Sequence, residues 1–158
     1  MNIICFHNPD EVNGYLSNWY LADFVIDGVT YTSVEQYMMY IKANTFCDLK
    51  VANKIMSTSD VKVIKSLGRS VSNYNDAIWS DIRYKVVYDA LLAKFSQNDD
   101  LRKLLLDTGD SLLVECALKD TIWGIGLSMN DPNRLDKSKW KGKNLLGKAL
   151  MKVREKLR

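Results

Sequence analysis

The fold is organised around the stretch Ser33-Val34-Glu35-Gln36-Tyr37-Met38-Met39-Tyr40-Ile41-Lys42-Ala43. This stretch predicts a helix of about three turns, because Ser33 is a favourable N-cap and Gln36, three residues later, completes a capping box. Asp27-Gly28 precedes the helix and stands between two short apolar runs, which predicts a two-residue hairpin turn. A hairpin therefore leads into a capped helix.

Two charged residues, Glu35 and Lys42, interrupt this otherwise apolar helix. Their spacing places them only about 20° apart around the helix axis, and Met39 and Phe46 share the same stripe. One interpretation is a solvated face, because charged residues are seldom fully buried. The other is that a carboxylate and an amine project into a cleft, where burial and mutual attraction shift both pKa values. Spacing alone leaves both interpretations open.

Length and composition predict an ordinary globular protein. The chain has 158 residues, of which 47% are apolar and 26% are charged, and the formal charge is +3. We expect one domain over residues 1–158, since no repeat or Pro/Gly-rich linker divides the chain. The most basic segment is 134–158, which is either a solvated surface or an edge that faces phosphate or nucleic acid.

The sequence argues against several kinds of site. With His7 as its one histidine and three scattered cysteines, the chain lacks the ligand set of a zinc site, and we predict neither a metal nor a cofactor. Gly124-x-Gly126 lacks the third glycine and the setting of a dinucleotide fingerprint. Cysteines that are most simply reduced and structural fit a cytoplasmic protein. No signal sequence or long apolar run is evident, so we predict no association with a membrane.

The remaining pattern predicts a helix-rich α+β domain with a small, mainly antiparallel sheet. Further strands are expected at 3–6 and 111–117, and further helices at 48–56, 60–68, 77–95 and 99–106, with a final helix capped by Asn144.

Polar residues beside aromatic ones are the other candidates for a site. They are Ser17, Asn18, Trp19, Trp79, Asp120, Trp123, Gly124 and Asn144. Each has a structural alternative: the tryptophans as core, Asp120 as a turn residue and Asn144 as a helix cap. Glu115, alone in an apolar strand, faces solvent if the strand alternates.

Several short motifs follow one another in a definite order along the chain. They are Gly14-Tyr15-Leu16-Ser17-Asn18-Trp19-Tyr20, Ser33-Val34-Glu35-Gln36-Tyr37 with Lys42, Trp79 with Ala93-Lys94-Phe95, Leu105-Leu106-Asp107-Thr108-Gly109, Leu113-Val114-Glu115, and the segments 120–126 and 142–151. Their joint order resembles the NADAR family, also called the YbiA-like N-glycosidases, over residues 14–157. One position departs from the family pattern: Gln36 stands where a histidine is usual, and an amide cannot titrate.

The resemblance implies an enzyme that cleaves N-glycosidic bonds of ribosyl compounds. The implied substrate is an ADP-ribosyl or phosphoribosyl compound. It is either ADP-ribose on a modified guanine base, which includes ADP-ribosylated nucleic acid, or a phosphoribosylamino-pyrimidine intermediate of riboflavin synthesis. We favour the first, narrowly. A non-catalytic ADP-ribose-binding module is the alternative, and no obligatory protein partner is expected.

The resemblance also assigns roles. Lys42 is the expected nucleophile, Glu35 the general acid/base and Asp120 a second catalytic carboxylate. Ser17, Asn18, Trp19, Trp79, Trp123, Gly124 and Asn144 are expected to bind substrate. A nucleophilic amine must lose its charge, whereas an ionised Glu35 favours the charged form. The two roles are compatible if Glu35 is protonated for part of the cycle, or if burial of the amine outweighs its pairing.

Overall fold

A computed structural model describes residues 2–158 and shows a helix-rich α+β fold, which confirms the predicted class. The strands are β1 (Ile3–Phe6), β2 (Phe24–Ile26), β3 (Val29–Tyr31) and β4 (Leu112–Glu115), and the helices are α1 (Val34–Thr45), α2 (Leu49–Met56), α3 (Val61–Arg69), α4 (Asp76–Gln97), α5 (Asp99–Asp107) and α6 (Leu145–Leu157). No helix in the described part of the chain is long and apolar enough to span a bilayer.

The chain divides into two compact units. The helical unit comprises Leu21–Gln97, and the terminal unit comprises Asn98–Arg158 together with the N-terminal residues up to Tyr20. That the whole chain forms one domain stays a prediction.

The helical unit begins with the predicted hairpin. β2 and β3 pair antiparallel, with Phe24 opposite Tyr31, and both Asp27 and Gly28 have positive φ, as a tight hairpin turn of this type requires. The side chain of Gln97, at the end of α4, completes the outer edge of β2: it accepts from the Val25 amide at 2.7 Å and donates to the Val25 carbonyl at 2.8 Å. This amide takes the place of a further strand.

Helix α1 lies at the centre of the helical unit and packs against α2, α3 and α4. Its start is half of the predicted capping box: Ser33 Oγ accepts from the Gln36 amide at 3.0 Å. The reciprocal half is different, because Gln36 Oε1 accepts from the amide of Thr32 at 2.8 Å, one residue before the cap. The helix also continues to Thr45, beyond the predicted stretch.

The terminal unit contains a second, parallel pair of strands. β1 pairs with β4, with Ile3 opposite Leu112 and Phe6 opposite Glu115. A mainly antiparallel sheet was predicted, and only the hairpin conforms to it. The parallel pair joins strands that are far apart in the sequence, and parallel pairing needs the long connection that the intervening chain supplies. A local pattern carries no signal for such a pair.

Asn144 precedes α6 but its side chain does not cap that helix, which corrects the prediction. Its amide instead accepts from the Glu115 backbone N–H and donates to the Leu113 carbonyl, each at 3.0 Å. Asn144 therefore completes the free edge of β4. The helix comes close enough for this because position 147 is a glycine, where a Cβ would overlap the Leu113 carbonyl.

We predict that Asn144→Ala lowers the free energy of unfolding by about 2–5 kcal/mol, because it leaves a buried donor and acceptor of β4 unpaired. Asn144 has φ 54°, so Asn144→Gly, which adopts that conformation without strain, separates the effect of the missing hydrogen bonds from the backbone cost. Urea unfolding measures both, with the exposed Asn130→Ala as control. A change below about 0.5 kcal/mol in both Asn144 variants would contradict the edge-completing role.

Candidate active site

The charged stripe of α1 is not a solvated face. Glu35 is 5% exposed, Met39 8% and Phe46 6%, and Lys42 is half-buried. The sequence placed these side chains on one side of the helix but left their exposure open. The structure supports the second interpretation, in which an acid and an amine are withdrawn from bulk water.

Lys42 is held by the end of a neighbouring helix. Its Nζ donates to the carbonyl of Gly68 at 2.8 Å and lies 4.7 Å from the centre of the Tyr74 ring. The Gly68 carbonyl belongs to the last turn of α3, where carbonyls lack partners within the helix. Lys42 thus supplies a missing donor, and the aromatic face gives its charge a second contact.

Gly68 makes this approach possible. A Cβ at this position would overlap the thioether of Met39, so α3 could not lie as close to α1 with any larger residue. Sequence reasoning had treated Gly68 only as a helix end and had not considered Tyr74. The available signal was a glycine inside a helical pattern, which often marks a close approach.

Burial lowers the pKa of Lys42 from its ordinary value, the nearby charge of Glu35 opposes this effect, and Arg69 adds to it. The net direction is downward. A neutral Lys42 was expected either if Glu35 is protonated for part of the cycle or if burial of the amine outweighs its pairing with Glu35. The direction of the pKa shift supports the second condition. The amine is therefore closer to its nucleophilic form at neutral pH than an ordinary lysine is.

Gln36, at the position of the family histidine, is 2% exposed and engaged at both ends of its amide. Besides accepting from Thr32, it donates to the carbonyls of Ile55 at 3.1 Å and Thr58 at 3.0 Å. These bonds tie the start of α1 to the end of α2. In this chain the residue has a structural role that an amide fills and that needs no titration.

Trp79, in the first turns of α4, is 5% exposed. Such burial fits the alternative in which Trp79 is a residue of the hydrophobic core. Stacking on a substrate would require its ring to become accessible.

Ser17, Asn18 and Trp19 lie in the terminal unit, directly after a short 3-10 helix at Gly14–Leu16. Ser17 Oγ accepts from the Trp19 amide at 3.1 Å, which shapes the turn. The Oδ1 atom of Asn18 is buried and has no hydrogen-bond partner within residues 2–158. An unsatisfied buried acceptor is costly, so Asn18 stays a good candidate to bind a ligand donor.

Asp120 shapes the turn that leads to Trp123 and Gly124. Its Oδ1 accepts from the amides of Ile122 and Trp123, each at 2.9 Å. A Cβ on Gly124 would press on the Glu115 carbonyl at 2.9 Å, so this turn packs tightly on the end of β4. The structural alternative for Asp120 is therefore present, and its catalytic role stays a prediction.

Glu115 does not face solvent, which corrects the expectation from alternation. Its side chain is 13% exposed and its Oε1 lies 3.5 Å from Nδ1 of His7. Burial raises the pKa of Glu115, the pairing with His7 opposes the rise, and Asp120 adds to it. Simple alternation failed here because His7, directly after β1, lies against the carboxylate of Glu115.

The structure thus distributes the predicted residues over two groups. Glu35, Lys42 and Trp79 belong to the helical unit, whereas Ser17, Asn18, Trp19, Asp120, Trp123, Gly124 and Asn144 belong to the terminal unit. Within the described residues, no group of three or more His, Cys, Asp or Glu side chains is arranged to hold a metal ion.

Comparison with known proteins identifies the family. A model described as the NADAR domain matches residues 5–158. The chain is 45% identical over 160 residues to N-glycosidase R617 of Acanthamoeba polyphaga mimivirus, covering 96% of this chain and 94% of that protein. It is 34% identical over 154 residues to riboflavin biosynthesis protein VVA0006 of Vibrio vulnificus (strain YJ016), covering 98% of this chain but 38% of that protein.

A solved structure agrees with this. The NMR structure of YbiA from Escherichia coli superimposes with a TM-score of 0.81 at 34% identity, over 99% of this chain and 84% of that one. YbiA itself is an N-glycosidase by name. The fold is therefore that of the YbiA-like class of α+β proteins. The chain belongs to the NADAR domain family, as its motifs had indicated.

We predict that Gly68→Ala raises the pKa of Lys42 toward its ordinary value. The added methyl group forces Met39 or α3 to move, which breaks the 2.8 Å contact with the Gly68 carbonyl and admits water around the amine. The pH dependence of Lys42 labelling by an amine-reactive reagent, read by mass spectrometry, measures the shift.

Ser66→Ala, at an exposed position of α3, is the matched control. Met39→Ala in the Gly68→Ala background makes room for the methyl group and is expected to restore the wild-type profile. An unchanged labelling profile in Gly68→Ala alone would contradict the role of the close helix approach.

Proposed function

We propose that this N-glycosidase removes ADP-ribose from modified guanine bases, with Lys42 as nucleophile and Glu35 as general acid/base. The N-glycosidase class rests on the family and on relatives that carry that name. The observation that carries the mechanism is the buried Glu35 on the same face of α1 as a half-buried Lys42 whose pKa is lowered.

The chemistry suits this pair. Cleavage of the C1′–N bond builds positive charge on the ribose, which a nearby carboxylate stabilises. In the proposed step, the neutral amine of Lys42 bonds to C1′ while the C1′–N bond breaks, and the leaving base takes a proton from Glu35. The ring then opens: the C1′–O4′ bond breaks, one proton passes from the amine nitrogen to the ring oxygen, and a protonated C1′=N imine forms. Water adds to the imine, the C1′–N bond to Lys42 breaks to release the sugar, and the surplus proton returns to Glu35, which restores the neutral amine.

Further contacts with the substrate are proposed for the terminal unit. Asp120 is the candidate to orient the ribose hydroxyls or to assist proton transfer, and Asn18 is the candidate to bind sugar or phosphate through its unpartnered Oδ1. Trp19 and Trp123, both half-buried, are the candidates to pack against base or ribose. Asn144 is a weaker candidate to bind substrate, because both ends of its side-chain amide are hydrogen-bonded to the backbone of β4.

Charge supports a polyanionic substrate. Lys137, Lys139, Lys141, Lys143 and Lys148 are all exposed in the basic segment before and within α6. Such a surface suits nucleic acid or a diphosphate. The second candidate substrate is a phosphoribosylamino-pyrimidine intermediate, favoured by the similarity to a protein named for riboflavin biosynthesis. A cytoplasmic location is part of the proposal.

We predict that borohydride traps a covalent adduct on Lys42 when the protein is incubated with an ADP-ribosylated guanine oligonucleotide, because borohydride reduces the imine. Lys42→Gln abolishes both the adduct and turnover, whereas Lys54→Gln, an exposed lysine of α2, changes neither. Glu35→Gln lowers the rate by about 10²–10⁴-fold, the usual worth of a positioned acid/base. Mass spectrometry of peptides locates the adduct.

Two outcomes would redirect the proposal. An adduct on another lysine would remove Lys42 as the nucleophile. Saturable binding of ADP-ribose without adduct or turnover would establish the non-catalytic binding module instead. The pH profile is a further check: because the pKa of Lys42 is lowered, the rate rises with pH over a range below that of an ordinary lysine.

We predict that cleavage of the oligonucleotide substrate weakens steeply with salt, whereas cleavage of the pyrimidine intermediate changes little, because only the polyanion releases many counterions. Replacing Lys139 and Lys141 with glutamine lowers the salt slope by about one for each phosphate that is no longer neutralised. Lys50→Gln, which makes the same charge change at an exposed position of α2, is the control. Equal salt dependence for both substrates would exclude the basic segment as a nucleic-acid surface.

A further inference from the structure

We infer that Arg83 and Arg69 form, around the ring of Tyr74, a subsite for the 5′-phosphate of the ribosyl substrate. This inference rests on the proposed function, since it concerns the same substrate. All of the residues involved belong to the helical unit.

Arg83 has hydrogen-bonding capacity that the protein does not use. It lies on α4, one turn after Trp79, and its Nε atom is buried with no hydrogen-bond partner among residues 2–158. A buried donor on a charged group is costly when unsatisfied, so such an atom in a native fold has a specific cause, of which a bound anion is one. A guanidinium presents its donors in a planar fork that matches phosphate oxygens.

Tyr74 connects Arg83 to the proposed nucleophile. Tyr74 is 43% exposed, and Lys42 Nζ lies 4.7 Å from the centre of its ring. Burial raises the pKa of the Tyr74 hydroxyl, Asp76 adds to the rise, and the positive charge of Arg83 opposes it. The Tyr74 hydroxyl also donates to Asp76 at the start of α4, and Arg83 lies seven residues after Asp76, on the same face of that helix. A ligand over the accessible ring of Tyr74 therefore lies between Lys42 and the face of α4 that carries Arg83.

Arg69 adds a second permanent positive charge close to Lys42. It is the last residue of α3, directly after the carbonyl that holds Lys42, and its charge contributes to lowering the pKa of the lysine. Its side chain is exposed, so it is available at the rim. The helix end itself favours cations rather than anions, so the attraction for phosphate comes from these side chains.

In the reactive state Lys42 is a neutral amine and Glu35 is protonated, so neither contributes a charge. The carboxylate of Asp76, which accepts from the Tyr74 hydroxyl at 2.7 Å, offsets one of the two arginine charges. The remaining positive charge favours one anionic group beside Tyr74. In a phosphoribosyl or ADP-ribosyl compound, a phosphate is attached to C5′ of the sugar whose C1′ Lys42 attacks, so a single substrate can reach both.

Binding without turnover provides the test. Calorimetric titration with ribose 5-phosphate, ribose and inorganic phosphate is expected to show the tightest binding for ribose 5-phosphate in the wild-type protein. Arg83→Gln weakens it by about 10–100-fold, since a hydrogen-bonded charge pair is removed, and leaves the weak binding of ribose unchanged. Arg83→Lys, which keeps the charge but not the fork, weakens it less.

The controls separate a subsite from a folding defect. Arg69→Gln changes an exposed residue and is expected to weaken binding of ribose 5-phosphate several-fold without altering the midpoint of thermal unfolding. Lys62→Gln makes the same charge change at another exposed position of α3 and is expected to have no effect on binding. Equal binding of ribose 5-phosphate by wild type, Arg83→Gln and Arg69→Gln would overturn the subsite. Arg83-dependent binding in a protein that cleaves neither substrate would retain the subsite and reject the proposed function.

Discussion

The hydrogen bond between Lys42 Nζ and the Gly68 carbonyl, at 2.8 Å, is the contact on which the rest of the candidate site depends. It fixes the amine of α1 against the end of α3, completes a helix terminus that would otherwise lack a donor, and keeps water from the amine. The lowered pKa of Lys42 follows from that shelter and is opposed by Glu35. Stability and reactivity at this place therefore have the same origin.

Much of the fold follows from local rules. The positive φ values at Asp27 and Gly28 and the bond from the Gln36 amide to Ser33 Oγ are what the residue types predict. Long-range choices did not follow. The parallel partner of β1 lies far away in the sequence, and the strand edges are completed by the amides of Gln97 and Asn144. No local pattern distinguishes such an amide from a helix cap or a surface residue.

The site was predictable to a similar extent. Helical spacing placed Glu35 and Lys42 on one face, and family motifs suggested their chemistry. Spacing could not show that this face is buried, because the covering groups, Gly68 and Tyr74, come from separate segments. For the same reason Glu115 was expected in solvent, although His7, from a distant part of the sequence, lies against it. A periodic pattern shows which side chains share one face of a helix or strand, whereas the exposure of that face depends on which distant segments pack against it.

The missing side chain at Gly68 has an evolutionary consequence. Position 68 and position 39 share one small volume, since the thioether of Met39 occupies the space that a Cβ on Gly68 would need. Substitutions at the two positions are therefore coupled: a larger residue at one position requires a smaller residue at the other, or α1 and α3 must move apart. Across homologous chains, the pair should covary in size, and an amine at position 42 should persist only where their combined volume stays constant.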